Sequence, residues 1–477
     1  RSIAALPSSS CIPLPVCTPL CHLPPPPPSP PRTLAILSPR RLPSPAPRLP
    51  TSALSVPPFP TTSFHNTGLL HLQSLFTSLF STLLASTSSS PVTLSMRVAA
   101  LATAVAIAAY LLSGIASRLI KFLSPTPPAK AANALRFGIL GAAKVNKFGI
   151  LLPSLAMADV RIVAIGARDT RRAKQVADQW GIPKYGDYQS VLADPDVEAV
   201  YIPLLNGLHY EWASAALHAG KHVLLEKPMT ANAAEARALA DLASARGLIL
   251  FEAYHWAYHP LAARMREVIR SGELGDLTQV EVSAGIPSLS AVLQAIGLQS
   301  RRRDVSSKMD VSLGGGKFLG QGCYAVSAAR YLLGEPVRVL NATMDEDIPG
   351  SQADVGTRAS VLFTGNVVAH LVHAPLGTGF NVVAHGSKAT MSVCNYWTPF
   401  IYHHLRVTRA DGSLERVERV FGEGDSNFVL QLRAFFNAVR KGEKFPTTAH
   451  DAVGNMELID SIYEMAGLRK RPSHAPL

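Results

Sequence analysis

From Leu135 onward the apolar positions fall into short strand-length runs separated by stretches of helical period. Arg136–Gly141 is an apolar run closed by glycine. Ala142–Met157 reads as the helix that follows it, kinked or shortened at Pro153. Arg161–Ala167, Val197–Ile202, His222–Leu225 and Leu248–Glu252 are further runs of strand type. Helical patterns at Thr170–Trp180, Glu211–Ala219 and Asn232–Ala245 lie between them. Alternation of this kind predicts a doubly wound parallel sheet, whose ligands lie beyond the carboxyl ends of its strands. The pattern then changes. Pro260–Ser271 is amphipathic through Leu261, Met265, Val268 and Ile269, and Leu277–Ala284 alternates as a strand. A helix is expected over Gln321–Leu333, an antiparallel sheet over Val337–Phe421, and closing helices at Asn427–Arg440 and Asp451–Met465.

Composition separates a leader from this body. The chain has 477 residues and 45 Lys plus Arg against 33 Asp plus Glu. No acid occurs before Asp159. Nine of the basic residues precede Asn133, which leaves the body close to neutral. The body carries no basic stripe with interleaved aromatics, so nucleic acid is not an expected partner. Residues 1–95 are rich in Pro, Ser and Leu and are expected to be disordered. Residues 96–133 form a hydrophobic anchor or targeting segment plus a linker. Within them Val98–Ala116 is 19 residues without a charge, long enough to span a bilayer. Arg118 and Lys121 on its C-terminal side would leave the body cytosolic. An acid-poor, Ser-rich organelle-targeting segment and a soluble helix remain alternatives. Three of the five cysteines lie in the leader, and no metal-binding motif is present.

The candidate chemistry gathers at strand ends. Gly138-x-x-Gly141-x-Ala143-x-x-Asn146 is a worn dinucleotide fingerprint. Gly138, Gly141, Ala142, Ala143 and Lys144 are its candidate cofactor contacts. No acid closes the next strand; Arg168 stands there instead, which favours the 2′-phosphate of NADP over NAD. Leu204, Asn206 and His209 follow the strand ending at Ile202. Glu226, Lys227 and Pro228 follow the strand ending at Leu225. Proline there stops the strand and points the lysine into the crevice. Three adjacent arginines, Arg301–Arg303, read as a solvated loop or as an anion clamp.

Four stretches then share a wider resemblance: Phe137-Gly-Ile-Leu-Gly-Ala-Ala143, Tyr201-Ile-Pro-Leu-Leu-Asn-Gly-Leu-His209, Ala219-Gly-Lys-His-Val-Leu-Leu-Glu-Lys-Pro228 and Glu252-Ala-Tyr-His-Trp-Ala-Tyr-His-Pro260. Together with Asp451–Asp460 they resemble the Gfo/Idh/MocA (glucose–fructose oxidoreductase) family. Its dihydrodiol dehydrogenase and NADP-dependent D-xylose dehydrogenase branch is the most similar. The resemblance implies an α/β chain: an N-terminal Rossmann doubly wound parallel sheet over 134–256, then an α+β domain over 257–471 with a large, mostly antiparallel open sheet that often mediates homodimers. It implies an NADP-dependent dehydrogenase acting on CH–OH groups of a sugar or cyclic trans-diol. Lys227 would sit beside the nicotinamide and Tyr324 would be the acid/base. One departure stands out. Gly315-Gly-Lys-Phe-Leu-Gly-Gln-Gly-Cys-Tyr324 has Gly320 where the family pattern has aspartate. That substitution opens an alternative, a noncatalytic nucleotide-binding sensor or scaffold.

Overall fold

The computed structural model describes residues 114–286, 307–374 and 377–473. Residues 98–113, most of the expected anchor, and Arg301–Arg303 lie outside them. Among the described residues no helix is long and apolar enough to cross a membrane.

Six strands form the first sheet: β1 (Leu135–Leu140), β2 (Val160–Gly166), β3 (Lys184–Gly186), β4 (Ala199–Ile202), β5 (His222–Leu225) and β6 (Leu250–Glu252). Their order is β3-β2-β1-β4-β5-β6, and every pairing is parallel. This is the doubly wound arrangement expected from the alternation. β1, β4 and β5 are almost wholly buried, which explains their continuous apolar runs. Helices α1 (Thr170–Trp180), α2 (Tyr188–Ala193), α3 (His209–His218) and α4 (Ala233–Arg246) connect the strands. Asp169 caps α1 by accepting from Arg171 N, and Gly181 closes it at φ 65°.

The long helix expected over Ala142–Met157 does not form. A turn of π-helix at Lys147–Leu151 runs into a short α-helix at Leu152–Leu155, with Pro153 in its first turn. Proline has no N–H to continue the ladder where the two meet, and the helix ends at Leu155. β3 and α2 are additional elements, each too short to show a period.

Eight further strands make the second sheet: β7 (Leu277–Ser283), β8 (Pro336–Glu346), β9 (Asp354–Phe363), β10 (Val368–His373), β11 (Asn381–Gly386), β12 (Ala389–Cys394), β13 (His404–Arg409) and β14 (Leu414–Glu418). Their order is β14-β13-β12-β11-β7-β10-β9-β8. All pairs are antiparallel except β7 with β10. Helices α5 (Pro260–Arg270), α6 (Cys323–Leu333) and α8 (Ala449–Met465) belong to the core that includes β7, β10 and β11. The helix α7 (Asn427–Lys441) goes elsewhere: Val429, Leu432, Phe435 and Phe436 pack with Phe137, Tyr201 and Phe251 of the first sheet.

Candidate active site

Two glycines, one in β1 and one just after it, stand where side chains have no room. Gly141 has φ 132°, and a Cβ there would meet Leu204 at 3.0 Å. Gly138 packs so closely that a Cβ would lie 2.5 Å from Val191 on α2. Asn146 takes the place of the usual third glycine. Its Nδ2 donates to Gly141 O at 2.7 Å, and its buried Oδ1 has no partner. Ala142 and Ala143 are half-buried in the turn and Lys144 is exposed. Arg168 is exposed at the carboxyl end of β2. Asp169 beside it is committed to Arg171, at 3.1 Å, and Arg172 reaches back to Ala142 O at 3.0 Å. The rim is therefore cationic, and its first acid is already paired.

The residues after β4 and β5 divide into two kinds. Leu204 approaches the glycine turn, whereas Asn206 donates to Gly314 O of the second domain at 2.9 Å. His209 is fully buried below the crest. Its Nδ1 faces Pro228 O at 2.9 Å and its Nε2 faces Leu204 O at 3.2 Å. Burial lowers its pKa to about 4, so the ring is neutral and its single N–H bonds one of these two carbonyls while the other is only in contact. Glu226 accepts from Tyr201 Oη at 2.7 Å and from Lys227 N at 3.2 Å, and burial raises its pKa. Glu252 steadies the next turn by accepting from Met229 N at 2.8 Å and from Asn455 Nδ2 at 3.1 Å; burial pushes its pKa up to about 8.

Lys227 and Tyr324 come together. Lys227 Nζ lies 4.8 Å from the Tyr324 ring centroid and donates to Gly320 O at 2.7 Å. The residue that lacks a carboxylate thus meets the amine with its backbone. Its carbonyl is available because Phe318–Gly322 is a π-turn leading into α6, and nothing lies within 4 Å of a Cβ built on Gly320. Asp310 does not replace the missing acid; it is exposed and caps Ser312. The carboxylate that acts on Tyr324 is Glu226. It raises the phenol pKa further above its ordinary value, after the larger effect of burial. The Trp397 indole favours the phenolate electrostatically, although its buried Nε1 makes no hydrogen bond of good geometry.

One partner of Tyr324, and the residue behind that partner, escape a reading of the sequence. Tyr324 Oη lies 3.1 Å from His255 Nε2, and His255 Nδ1 meets the amide nitrogen of Asn427. His255 follows β6 within one of the resembling stretches, so its neighbourhood was legible but its task was not. Asn427 lies 172 residues further on and carries no motif.

One wall comes from the segment before the fold. The helix over residues 114–123 brings Phe122 against Phe148, Phe400 and Phe428, at ring separations of 5.9, 4.8 and 5.8 Å. Phe428 in turn lies 4.1 Å from the His255 ring. Arg118 donates to Ile401 O, and Lys121 pairs with Asp425 at 3.2 Å. Lys130 is tied to the carbonyls of Ser154 and Met157. The helix before the linker is therefore docked on the body, and the linker is tied down at its end by Lys130.

The donor set fits a dinucleotide. Gly141 has no room for a Cβ, Asn146 Oδ1 is buried and unpartnered, and cationic side chains rim the far end. Fold and site together define a two-domain dinucleotide-binding oxidoreductase architecture. A profile described as oxidoreductase family, NAD-binding Rossmann fold matches residues 135–254, and one described as GFO/IDH/MocA C-terminal domain matches 262–392. The chain belongs to the Gfo/Idh/MocA oxidoreductase family. It is similar to the D-xylose 1-dehydrogenase (NADP(+)) 2 of Haloferax volcanii, 35% identical over 70% of this chain and 97% of that one. It is also similar to the trans-1,2-dihydrobenzene-1,2-diol dehydrogenase of Mus musculus, 36% identical over 42% of this chain and 57% of the relative. Among solved structures it resembles a 3-ketoreductase from Actinomadura kijaniata in complex with NADP and TDP-benzene. That match has TM-score 0.62 and 26% identity, over 70% of this chain and 98% of the other.

Proposed function

We propose that the protein is an NADP-dependent oxidoreductase that moves a hydride between the nicotinamide and a secondary alcohol or carbonyl of a sugar or cyclic trans-diol. The observation that carries this reading is the convergence of Lys227 and Tyr324 at the carboxyl end of β5. Gly138, Gly141, Ala142, Ala143, Lys144, Leu204 and Pro228 would hold the dinucleotide, with Arg168 toward the 2′-phosphate. Asn206, His209 and Glu226 would position those loops. When bound, the cofactor supplies the hydride acceptor or donor. Tyr324 exchanges the proton with the substrate oxygen, and the Lys227 amine stabilises negative charge developing there.

Tighter quenching or enhancement with NADPH than with NADH in a fluorescence titration is the expected result, followed by turnover on a panel of sugars and trans-diols. Binding without turnover on that panel would favour the noncatalytic alternative, whose support is Gly320. Gly320→Asp then decides further, because the position has space for a side chain; activity appearing only in that variant would identify a lost carboxylate.

The same reading includes Val98–Ala116 as a membrane anchor for a cytosolic body, and a homodimer through the second sheet, whose β11 and β12 alternate buried with half-buried positions. The expected results are flotation of the full chain with lipid vesicles and a mass twice the monomer's for the chain from Gly114 onward in equilibrium sedimentation. Failure to float and a monomer mass would remove these two assignments.

A further inference from the structure

Asn427, the first residue of α7, is fully buried, and its Nδ2 faces two acceptors. One is Trp397 O at 3.1 Å and the other is His255 Nδ1. An amide nitrogen has two hydrogens and no acceptor capacity. Because Trp397 O can only accept, the amide must turn its nitrogen toward it. The second hydrogen then points at His255 Nδ1, which must be the bare ring nitrogen. His255 is neutral at ordinary pH, since burial, helped by the nearby Lys227 charge, draws its pKa down to about 3. A neutral imidazole with a bare Nδ1 carries its hydrogen on Nε2. That nitrogen lies 3.1 Å from Tyr324 Oη. His255 therefore donates to the phenol oxygen, and the phenol's own hydrogen is left for another acceptor.

We propose that Asn427 and His255 form a positioning pair that holds Tyr324 as a proton donor toward substrate and stabilises its phenolate. The proposal deepens the acid/base reading of Tyr324 and rests on it. In oxidation the substrate O–H bond breaks and its proton forms the Tyr324 O–H, while the C–H bond breaks with transfer of its electron pair as hydride to the nicotinamide, leaving C=O. In reduction Tyr324 returns the proton, and the His255 N–H stays on the phenolate oxygen. His255 touches only the phenol oxygen and Asn427 acts through His255, so both work on the substrate through Tyr324. The pair supplies what a side chain at position 320 does not.

Several other groups face or act on Tyr324: Lys227 and Glu226 after β5, Tyr201 on β4, Tyr254 after β6, Cys323 on its own helix, and Tyr396 and Trp397 before β13. They are unchanged in the variants below, so a difference between variants reports on the pair. His255→Phe keeps a ring against Phe428 and removes the donor. His255→Gln keeps a donor. Asn427→Asp replaces a donor with a carboxylate, which calls for Nδ1–H and so turns Nε2 into an acceptor of the tyrosine hydrogen.

A hydrogen bond to a charged acceptor corresponds to roughly 10- to 100-fold in the ionisation constant, about one to two pH units. The acid limb of kcat/KM for oxidation is therefore expected to move up by that amount in His255→Phe and Asn427→Asp, because a phenolate without its donor forms only at higher pH. His255→Gln should restore most of the shift. The arm that needs no turnover is 15N NMR of histidine-labelled full-length protein, with the His255 signals assigned by their loss in His255→Gln. The expected result is a bare Nδ1 in the wild type and a bare Nε2 in Asn427→Asp. A wild-type His255 with its hydrogen on Nδ1, or an acid limb unmoved in His255→Phe, overturns the proposal. Absence of wild-type turnover would instead overturn the acid/base reading, and the tautomer would still judge the pair.

Discussion

Lys227→Met is expected to lower kcat at least about 100-fold, or about 2.7 kcal/mol of transition-state stabilisation, while NADPH binding remains measurable by fluorescence. The amine stands at the end of a buried strand, beside the phenol and bonded to Gly320 O at 2.7 Å. Methionine keeps most of the stem's length and bulk but removes the charge and its donors. In the ground state the substitution removes one charge-assisted hydrogen bond to a carbonyl, worth about 1.5–3 kcal/mol of folding stability and not directly of turnover. A loss in kcat reports the charge that develops on the substrate oxygen. Near-normal kcat would show that the amine serves only to join the two domains. A loss confined to KM would assign it to binding.

The placement of Lys227 was legible because its strand carries an unbroken apolar run and proline follows at once. Thr170–Trp180 was legible for a related reason, with Asp169 and Gly181 marking its ends. Ala142–Met157 misled because Asn146 spends its side chain on Gly141 O and the chain widens into a π-turn, an event with no periodic signature. Gly320 looked like a plain loss. Its contribution is a carbonyl, and backbone atoms carry no letter in a sequence. His209 and Asn206 stand in the expected loops, yet their side chains bond to protein backbone. Residue type alone does not distinguish a ligand contact from the brace behind it.

The second large effect is expected far from any motif. Arg471 is fully buried and donates to Asp354 Oδ1 at 2.7 Å and to Gly315 O at 2.6 Å, with its guanidinium 4.2 Å from the Tyr463 ring centroid. Tyr463 Oη and Phe318 N also donate to Asp354, at 2.8 and 2.5 Å. A Cβ on Gly316, at φ 127°, would lie 2.2 Å from the same carboxylate. Arg471→Met leaves that carboxylate buried without its counter-charge, and breaking such a pair costs about 3–5 kcal/mol. A fall of this size in unfolding free energy, read from guanidinium denaturation, is the expected result. The double variant Asp354→Leu, Arg471→Met should recover a good part of it, since the stranded charge is gone. A single-variant loss below about 1 kcal/mol would mean that water reaches the pair. Because Gly315, Gly316 and Phe318 lead directly to Gly320, the single variant should also loosen the carbonyl that meets Lys227.

The helix α7 sets an order on synthesis. Its Phe435 and Val429 cover one side of the first sheet, and its Asn427 completes the hydrogen-bond chain behind Tyr324. A ribosome that has translated β1 to β6 has therefore released a sheet with one apolar side only partly covered, by α1 and Ile150–Leu151. That side stays incomplete through the whole of the second sheet, whose last strand ends at Glu418. The dinucleotide half of this protein is thus finished by residues made near the end, and a truncation before Asn427 would yield a sticky intermediate in place of a smaller enzyme.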